Sequence, residues 1–296
     1  QLSPHAWLYT EMITVAALIR GPRERLLAFH ADEHPVALQL GGSDPVELAA
    51  AAALAAAAGF DEVNLNVGCP SDRVRAGCFG AALMAQPATV AACVRAMRDA
   101  CDVPVTVKTR LGIDDLDSYG FLREFAAAIA GAGCETLIVH ARKAWLSGLS
   151  PKENREVPPL DYARVHRLKR DFPALEIIIN GGIDVPDVAL AQLDHVDGVM
   201  LGRAAYREPY VLAELESRLF GSRSMPRRET VLAAMVRYAE HELAAGARLR
   251  SITRHLMGLY AGLPGARQWR RLLVDLDDSR AGLETLRQFV SARQAA

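Results

Sequence analysis

The stretch Asn64-Leu65-Asn66-Val67-Gly68-Cys69-Pro70-Ser71 carries the sharpest chemical signal in the chain. A cysteine set between glycine and proline after an apolar run belongs to a loop and not to a packed core. An unperturbed thiol has a pKa of about 8.5, and no histidine adjoins Cys69 in sequence, so near neutrality it is mostly protonated and can donate a proton. It reads as a general acid first and a thiolate nucleophile second, and acid catalysis is worth about 10² to 10⁴ in rate. Lys108, one of only four lysines in an arginine-dominated chain, closes the apolar run Val105-Thr106-Val107. An ammonium there serves chemistry or simply ends a surface strand. His140 closes Ile138-Val139 in the same way, with a satisfied core histidine as its plain alternative. Together with Gln39 and the glycine sites Gly181-Gly182 and Gly202-Arg203, these residues would offer donors to a flat, phosphate-bearing heterocycle.

Such residues act together only if the fold gathers them. Short β-branched runs at Trp7–Tyr9, Val36–Leu40, Glu62–Val67, Val103–Thr109, Thr136–His140, Ile177–Asn180 and Gly198–Leu201 predict strands. Helical periodicity fills Pro45–Ala58, Ala88–Ala100, Tyr119–Ala130, Leu160–Asp171, Val185–Leu193 and Glu208–Phe220 between them. Alternation of this kind predicts parallel strands with crossovers, either a doubly wound sheet or a TIM (β/α)8 barrel. Polar residues at nearly every strand end favour the barrel, because its strand ends converge on one mouth. Glycine pairs after the last two strands also suit a barrel's phosphate site, whereas no GxGxxG turn marks a doubly wound sheet. Seven strand candidates against the eight of a barrel lead to the expectation that the first strand is missing here.

After Phe220 the linker Gly221–Pro226 opens a purely helical tail, with helices predicted at Arg228–Ala244, Arg248–Leu256, Ala266–Asp275 and Ala281–Gln294. The expected organisation is therefore a catalytic barrel over 1–222 and an all-α bundle over 223–296. The chain as a whole carries a formal charge of −1, yet Met225–Ala296 holds twelve arginines against seven acidic residues, for +5. A polyanionic partner would select that segregation, and a solvated arginine-laced helix face would also produce it. Cys69, Cys78, Cys93, Cys101 and Cys134 form no CxxC pair, which argues for a reducing cytoplasm and against a zinc site or disulfide frame. No apolar run is suited to crossing a membrane.

The motifs Asn-x-Asn-x-Gly-Cys-Pro-Ser (64–71), Val-Lys-Thr-Arg-Leu-Gly (107–112), Val-His-Ala-Arg (139–142), Asn-Gly-Gly-Ile (180–183) and Leu-Gly-Arg-Ala (201–204), in this order, resemble the tRNA-dihydrouridine synthases. The segment 148–162 is similar to their bacterial A-type, which acts on positions 20 and 20a of the D-loop. The resemblance extends through the helical tail. It implies an FMN barrel with NADPH as reductant and a helical domain that binds tRNA, from which a uridine is flipped into the mouth. It further implies Cys69 as proton donor, and Gln39, Lys108, His140, Asn180, Gly181, Gly182, Gly202 and Arg203 as holders of FMN. Asn66 would touch the substrate nucleotide, and Lys152, Arg155, Arg267 and Arg270 would orient the tRNA. The family's Ala-Pro-Met flavin contact, carried on the first strand, has no counterpart in this sequence. Three other readings use the same residues: a small-molecule FMN barrel oxidoreductase of the dihydroorotate dehydrogenase or ene-reductase type, a lyase with a Schiff base on Lys108, and a non-catalytic tRNA-binding protein.

Overall fold

Strands β1 (Leu8–Tyr9) and β2 (Ile13–Thr14) lie in succession along β3 (Val36–Gly41), Leu8 opposite Val36 and Ile13 opposite Leu40, and so share one interrupted position. β4 (Glu62–Val67), β5 (Val105–Arg110), β6 (Thr136–His140), β7 (Glu176–Asn180) and β8 (Gly198–Met200) follow, each parallel to the strand before it. This unbroken order is that of a (β/α)8 barrel, since a doubly wound sheet reverses at a switch point. The computed structural model describes residues 2–71, 77, 79–221 and 225–294, and among them no ladder joins β8 to β1. The sheet is a curled half-barrel whose strands are parallel, as the alternation predicted, and consistent with the expected TIM-barrel fold. Cys78 and the linker residues Ser222, Arg223 and Ser224, with the expected 222/223 boundary, lie outside the described residues.

Local sequence explains where the covering helices start. In α3 (Pro45–Ala57) the Asp44 carboxylate accepts from the Val46 and Glu47 N–H groups at 2.9 and 2.8 Å, and Pro45 pre-sets the first turn. Ser118 caps α5 (Tyr119–Gly131) and Asp161 caps α6 (Tyr162–Asp171) in the same manner, while α1 (Val15–Arg20), α2 (Arg23–Leu26) and α4 (Pro87–Ala100) complete the set before them. α7 (Pro186–Leu193) follows β7. β3 and β4 are buried at every residue, so their apolar alternates Val63, Leu65 and Val67 meet helices while Glu62, Asn64 and Asn66 turn to the other face. β5 begins at Val105, later than the sequence reading, because Pro104 has no N–H to give a ladder.

The chain separates into two compact units, Trp7–Ile183 with Asp187–Met200, and Gln1–Ala6 with Asp184–Pro186 and Leu201–Ala296. This division falls at Leu201, ahead of the 222/223 boundary read from the sequence. The physical reason is that α8 (Arg203–Arg207) and α9 (Tyr210–Phe220) pack into the tail: the Tyr210 hydroxyl donates to Pro226 O at 2.8 Å and the Arg228 guanidinium lies 3.8 Å from the Tyr210 ring. A Cβ at Gly258 would stand 2.2 Å from the Arg207 carbonyl oxygen, so only glycine permits that approach. No helix among the described residues is long and apolar enough to cross a membrane.

The helical unit adds α10 (Arg228–Ala244), α11 (Leu249–Thr253), α12 (Ala266–Asp275) and α13 (Arg280–Gln294) around one apolar core. Trp269, wholly buried at its centre, donates its indole N–H to Leu256 O at 2.8 Å and lies 5.2 and 5.1 Å from the Tyr260 and Phe289 rings. Replacing it with alanine removes both the ring and the bond. Trp269→Ala should lower the unfolding free energy by about 3–5 kcal/mol, measured by urea denaturation; a decrease under about 1 kcal/mol would show that the bundle closes without it.

Candidate active site at the strand ends

Register alone brings the polar strand ends into rows. Gln39 stands opposite Asn64, Asn66 opposite Lys108, and Arg110, His140 and Asn180 are successive partners across β5, β6 and β7. The Asn66 amide organises the cysteine loop from below: its Oδ1 accepts the Gly68 and Cys69 N–H groups at 3.1 and 2.9 Å, and its Nδ2 donates to Gln39 Oε1 at 2.7 Å. Cys69 is half-buried, with its S–H directed to Ser71 Oγ at 3.5 Å and its carbonyl bonded by the Ala81 N–H at 2.9 Å. The loop is therefore fixed at both faces, and the thiol is placed by backbone and not by its own packing.

Two cations stand beside it. Lys108 Nζ donates to Asn180 Oδ1 at 3.2 Å, and Asn180 Nδ2 in turn donates to Met200 O at 2.7 Å. Burial, with the neighbouring Arg110 charge adding to it, pushes the Lys108 ammonium down to about 8. Arg110, 5% exposed, donates from Nε to Gly68 O at 3.1 Å and from Nη1 to Lys143 O and Asn154 O at 3.3 and 2.9 Å. Burial lowers its pKa to about 10, which leaves it charged.

At the end of β7 the glycine pair adopts left-handed backbone, φ 110° at Gly181 and 67° at Gly182. A Cβ at Gly181 would lie 3.1 Å from His140 Nε2, and one at Gly182 would lie 2.5 Å from Leu160 Cδ1. The Tyr162 hydroxyl pins the turn by donating to Gly181 O at 2.7 Å. Successive N–H groups in such a turn form an anion-binding concavity. Gly202 and Arg203 belong to the helical unit, where Gly202 precedes the short helix α8.

Of the residues expected to orient tRNA, Lys152 and Arg155 are exposed on the turn around Glu153–Arg155. The side chain of Asn154, fully buried between them, accepts the Trp145 N–H at 2.8 Å and donates to the Trp145 and Leu149 carbonyls at 2.9 and 3.2 Å. Its own carbonyl is the one that Arg110 holds. Arg267 and Arg270 project outward from α12 on either side of buried Trp269. The sequence reading assigned no role to Arg110 or Asn154. Spacing offered one signal, since Arg110 lies two residues after Lys108 and so shares its face of β5.

Hydrogen-bond donors and cations gathered at one rim suit a flat anionic cofactor, and the thiol beside them suits proton delivery, which is the equipment of a parallel-barrel oxidoreductase. The chain belongs to the dihydrouridine synthase (Dus) family, whose model matches residues 1–295. It is 57% identical over 288 residues to the tRNA-dihydrouridine(20/20a) synthase of Shewanella oneidensis, covering 97% of this chain and 86% of that protein. The protein of the same name from Vibrio vulnificus is 56% identical over 287 residues, covering 96% of this chain and 88% of its own length. That of Escherichia coli K12 is 59% identical over 276 residues, covering 93% and 80%.

The Lys108 environment has a measurable consequence. The folded protein releases this proton near pH 8 whereas the unfolded chain keeps it to the ordinary lysine value of 10.5. Between those values the unfolded state binds more protons, so native stability rises with pH. Urea unfolding of flavin-free protein between about pH 7.5 and 9.5 should show a larger rise in the parent than in Lys108→Met; parallel curves would mean that Lys108 titrates normally.

Proposed function

We propose that this protein reduces uridines at positions 20 and 20a of tRNA to 5,6-dihydrouridine, with Cys69 delivering the proton. The observation that carries the reading is the clamped cysteine loop, held by Asn66 and Arg110 at the rim that also bears Lys108, His140 and the left-handed glycine pair. The relatives' shared name supports the substrate and the positions.

The rim fits FMN on its own chemistry. Gln39, Lys108, His140 and Asn180 supply polar groups for the edge of a ring system, and at Gly181-Gly182, where His140, Leu160 and Tyr162 leave no room for a Cβ, the positive-φ turn offers backbone N–H groups suited to a phosphate. When bound and reduced, FMN supplies the hydride that carbon 6 of the uracil accepts, and NADPH restores it. Cys69 gives its S–H proton to carbon 5, so the carbon 5–carbon 6 double bond gains one hydride and one proton, and solvent reprotonates the thiolate. Lys108 and Arg110 place positive charge beside the sulfur that becomes anionic in that step. Asn66 retains one amide N–H for a base carbonyl after its bond to Gln39.

A uridine in folded tRNA must leave its stack to reach this rim, at a cost of a few kcal/mol that interactions with the backbone offset. Lys152 and Arg155 offer such interactions from the barrel loop. On the helical unit Arg248, Arg254, Arg267 and Arg270 are exposed and form no ion pair among the described residues, a surface suited to phosphates. Those arginines separate this reading from a small-molecule flavin oxidoreductase, which has no use for a basic helical unit. A cytoplasmic setting, where tRNA and reduced thiols coexist, completes the proposal.

Cys69→Ala should keep its flavin and be reduced by NADPH at the parental rate, while stopped-flow reoxidation by tRNA slows by about 10²-fold or more. Parental reoxidation would remove Cys69 from proton delivery. Changing Arg267 and Arg270 together to alanine should raise the KM for tRNA, leave NADPH-driven flavin reduction intact, and flatten the log–log salt slope by roughly 0.7–0.9 for each phosphate that is no longer neutralised. Unchanged affinity and slope in a normally melting double variant would place the RNA on another surface.

A further inference from the structure

The barrel interior contains a polar run that proton delivery by Cys69 does not itself require. Barrel interiors ordinarily stack branched apolar side chains, yet fully buried β4 turns Glu62, Asn64 and Asn66 to one face. From the cysteine loop inward every hydrogen bond points the same way. The Gly68 and Cys69 N–H groups donate to Asn66 Oδ1, Asn66 Nδ2 donates to Gln39 Oε1 at 2.7 Å, and Gln39 Nε2 donates to Asn64 Oδ1 at 2.9 Å. Asn64 Nδ2 donates to the Thr106 hydroxyl at 2.7 Å, and that hydroxyl donates to Glu62. Tyr9 adds a second donor to the same carboxylate at 2.9 Å. Burial and the carboxylate beside it raise the Tyr9 phenol well above its ordinary value, so it stays a donor.

Burial raises the Glu62 pKa, and the Thr106 and Tyr9 hydroxyls, both donating to it, oppose that shift; as a carboxylate it only accepts, and that sets the sense of the whole run. Thr106 has one proton and gives it to Glu62, so it can only accept from Asn64. The Asn64 oxygen is then turned to Gln39, the Gln39 oxygen to Asn66, and the Asn66 oxygen to the loop. We propose that Glu62, Asn64 and Thr106 are positioning residues: they fix the donor and acceptor sense of Gln39 and Asn66, hold the Cys69 loop, and leave the second amide N–H of each for carbonyl acceptors on flavin and base. The proposal rests on the reading of Cys69 as the proton donor.

Thr106 separates this role from simple packing, because Val keeps its shape and loses the hydroxyl whereas Ser keeps the hydroxyl and loses the methyl group. Two readouts apply: hydrogen exchange of the Gly68 and Cys69 amides in flavin-free protein, and single-turnover reoxidation by tRNA set against flavin reduction by NADPH. Thr106→Val should speed amide exchange and slow the tRNA step by about tenfold each, with Thr106→Ser within about twofold of the parent, the scale of losing one buried hydrogen bond. The reverse ranking, or parental exchange in a folded Thr106→Val, overturns the proposal. If Thr106→Val does not fold, Asn64→Leu takes its place: it keeps roughly the shape but can neither donate nor accept, and parental behaviour there is equally fatal. Should Cys69→Ala reduce tRNA normally, the proton-donor reading fails while amide exchange still judges the run of bonds.

Discussion

The Arg110 guanidinium, nearly withdrawn from water, holds carbonyl groups from two loops at once. A buried charge is tolerable only where hydrogen bonds compensate it, and here the carbonyls of Gly68, Lys143 and Asn154 accept from Nε and Nη1. Burial lowers its pKa to about 10, far enough above neutrality that the ion persists. Gly68 precedes Cys69, the proposed proton donor, and Asn154 stands between Lys152 and Arg155. The loop proposed to deliver the proton and the loop proposed to meet tRNA thus share one anchor, the Arg110 side chain.

The two units answer to different physics. The helical unit is held by an apolar core around Trp269, so many of its arginines face outward, several without an ion pair among the described residues. Exposed charges of this kind contribute little to stability. In the proposed function their value lies in attracting a polyanion. The half-barrel has the opposite arrangement: its apolar alternates meet the covering helices, and its inner face carries amides, a hydroxyl and a carboxylate. Each of those polar groups bonds to the next, so the rim inherits its geometry from bonds made a strand's length away.

Much of this was legible in the sequence. The alternation of β-branched runs with capped helices, such as Asp44-Pro45 ahead of its Ala-rich helix, specifies parallel strands because such local preferences act within a few residues. The placement of Cys69, Lys108, His140 and Gly181-Gly182 at or just after strand ends was legible as well, since unusual residue types there stand out against an apolar background. The tertiary structure decided what depends on meetings between distant segments. Arg110 binding Asn154, Thr106 linking Asn64 to Glu62, and the attachment of α8 and α9 to the helical tail all join residues that no local pattern pairs. The reason is that a hydrogen bond's partner is set by register and by the curl of the sheet, and those are fixed only when every strand has found its neighbour.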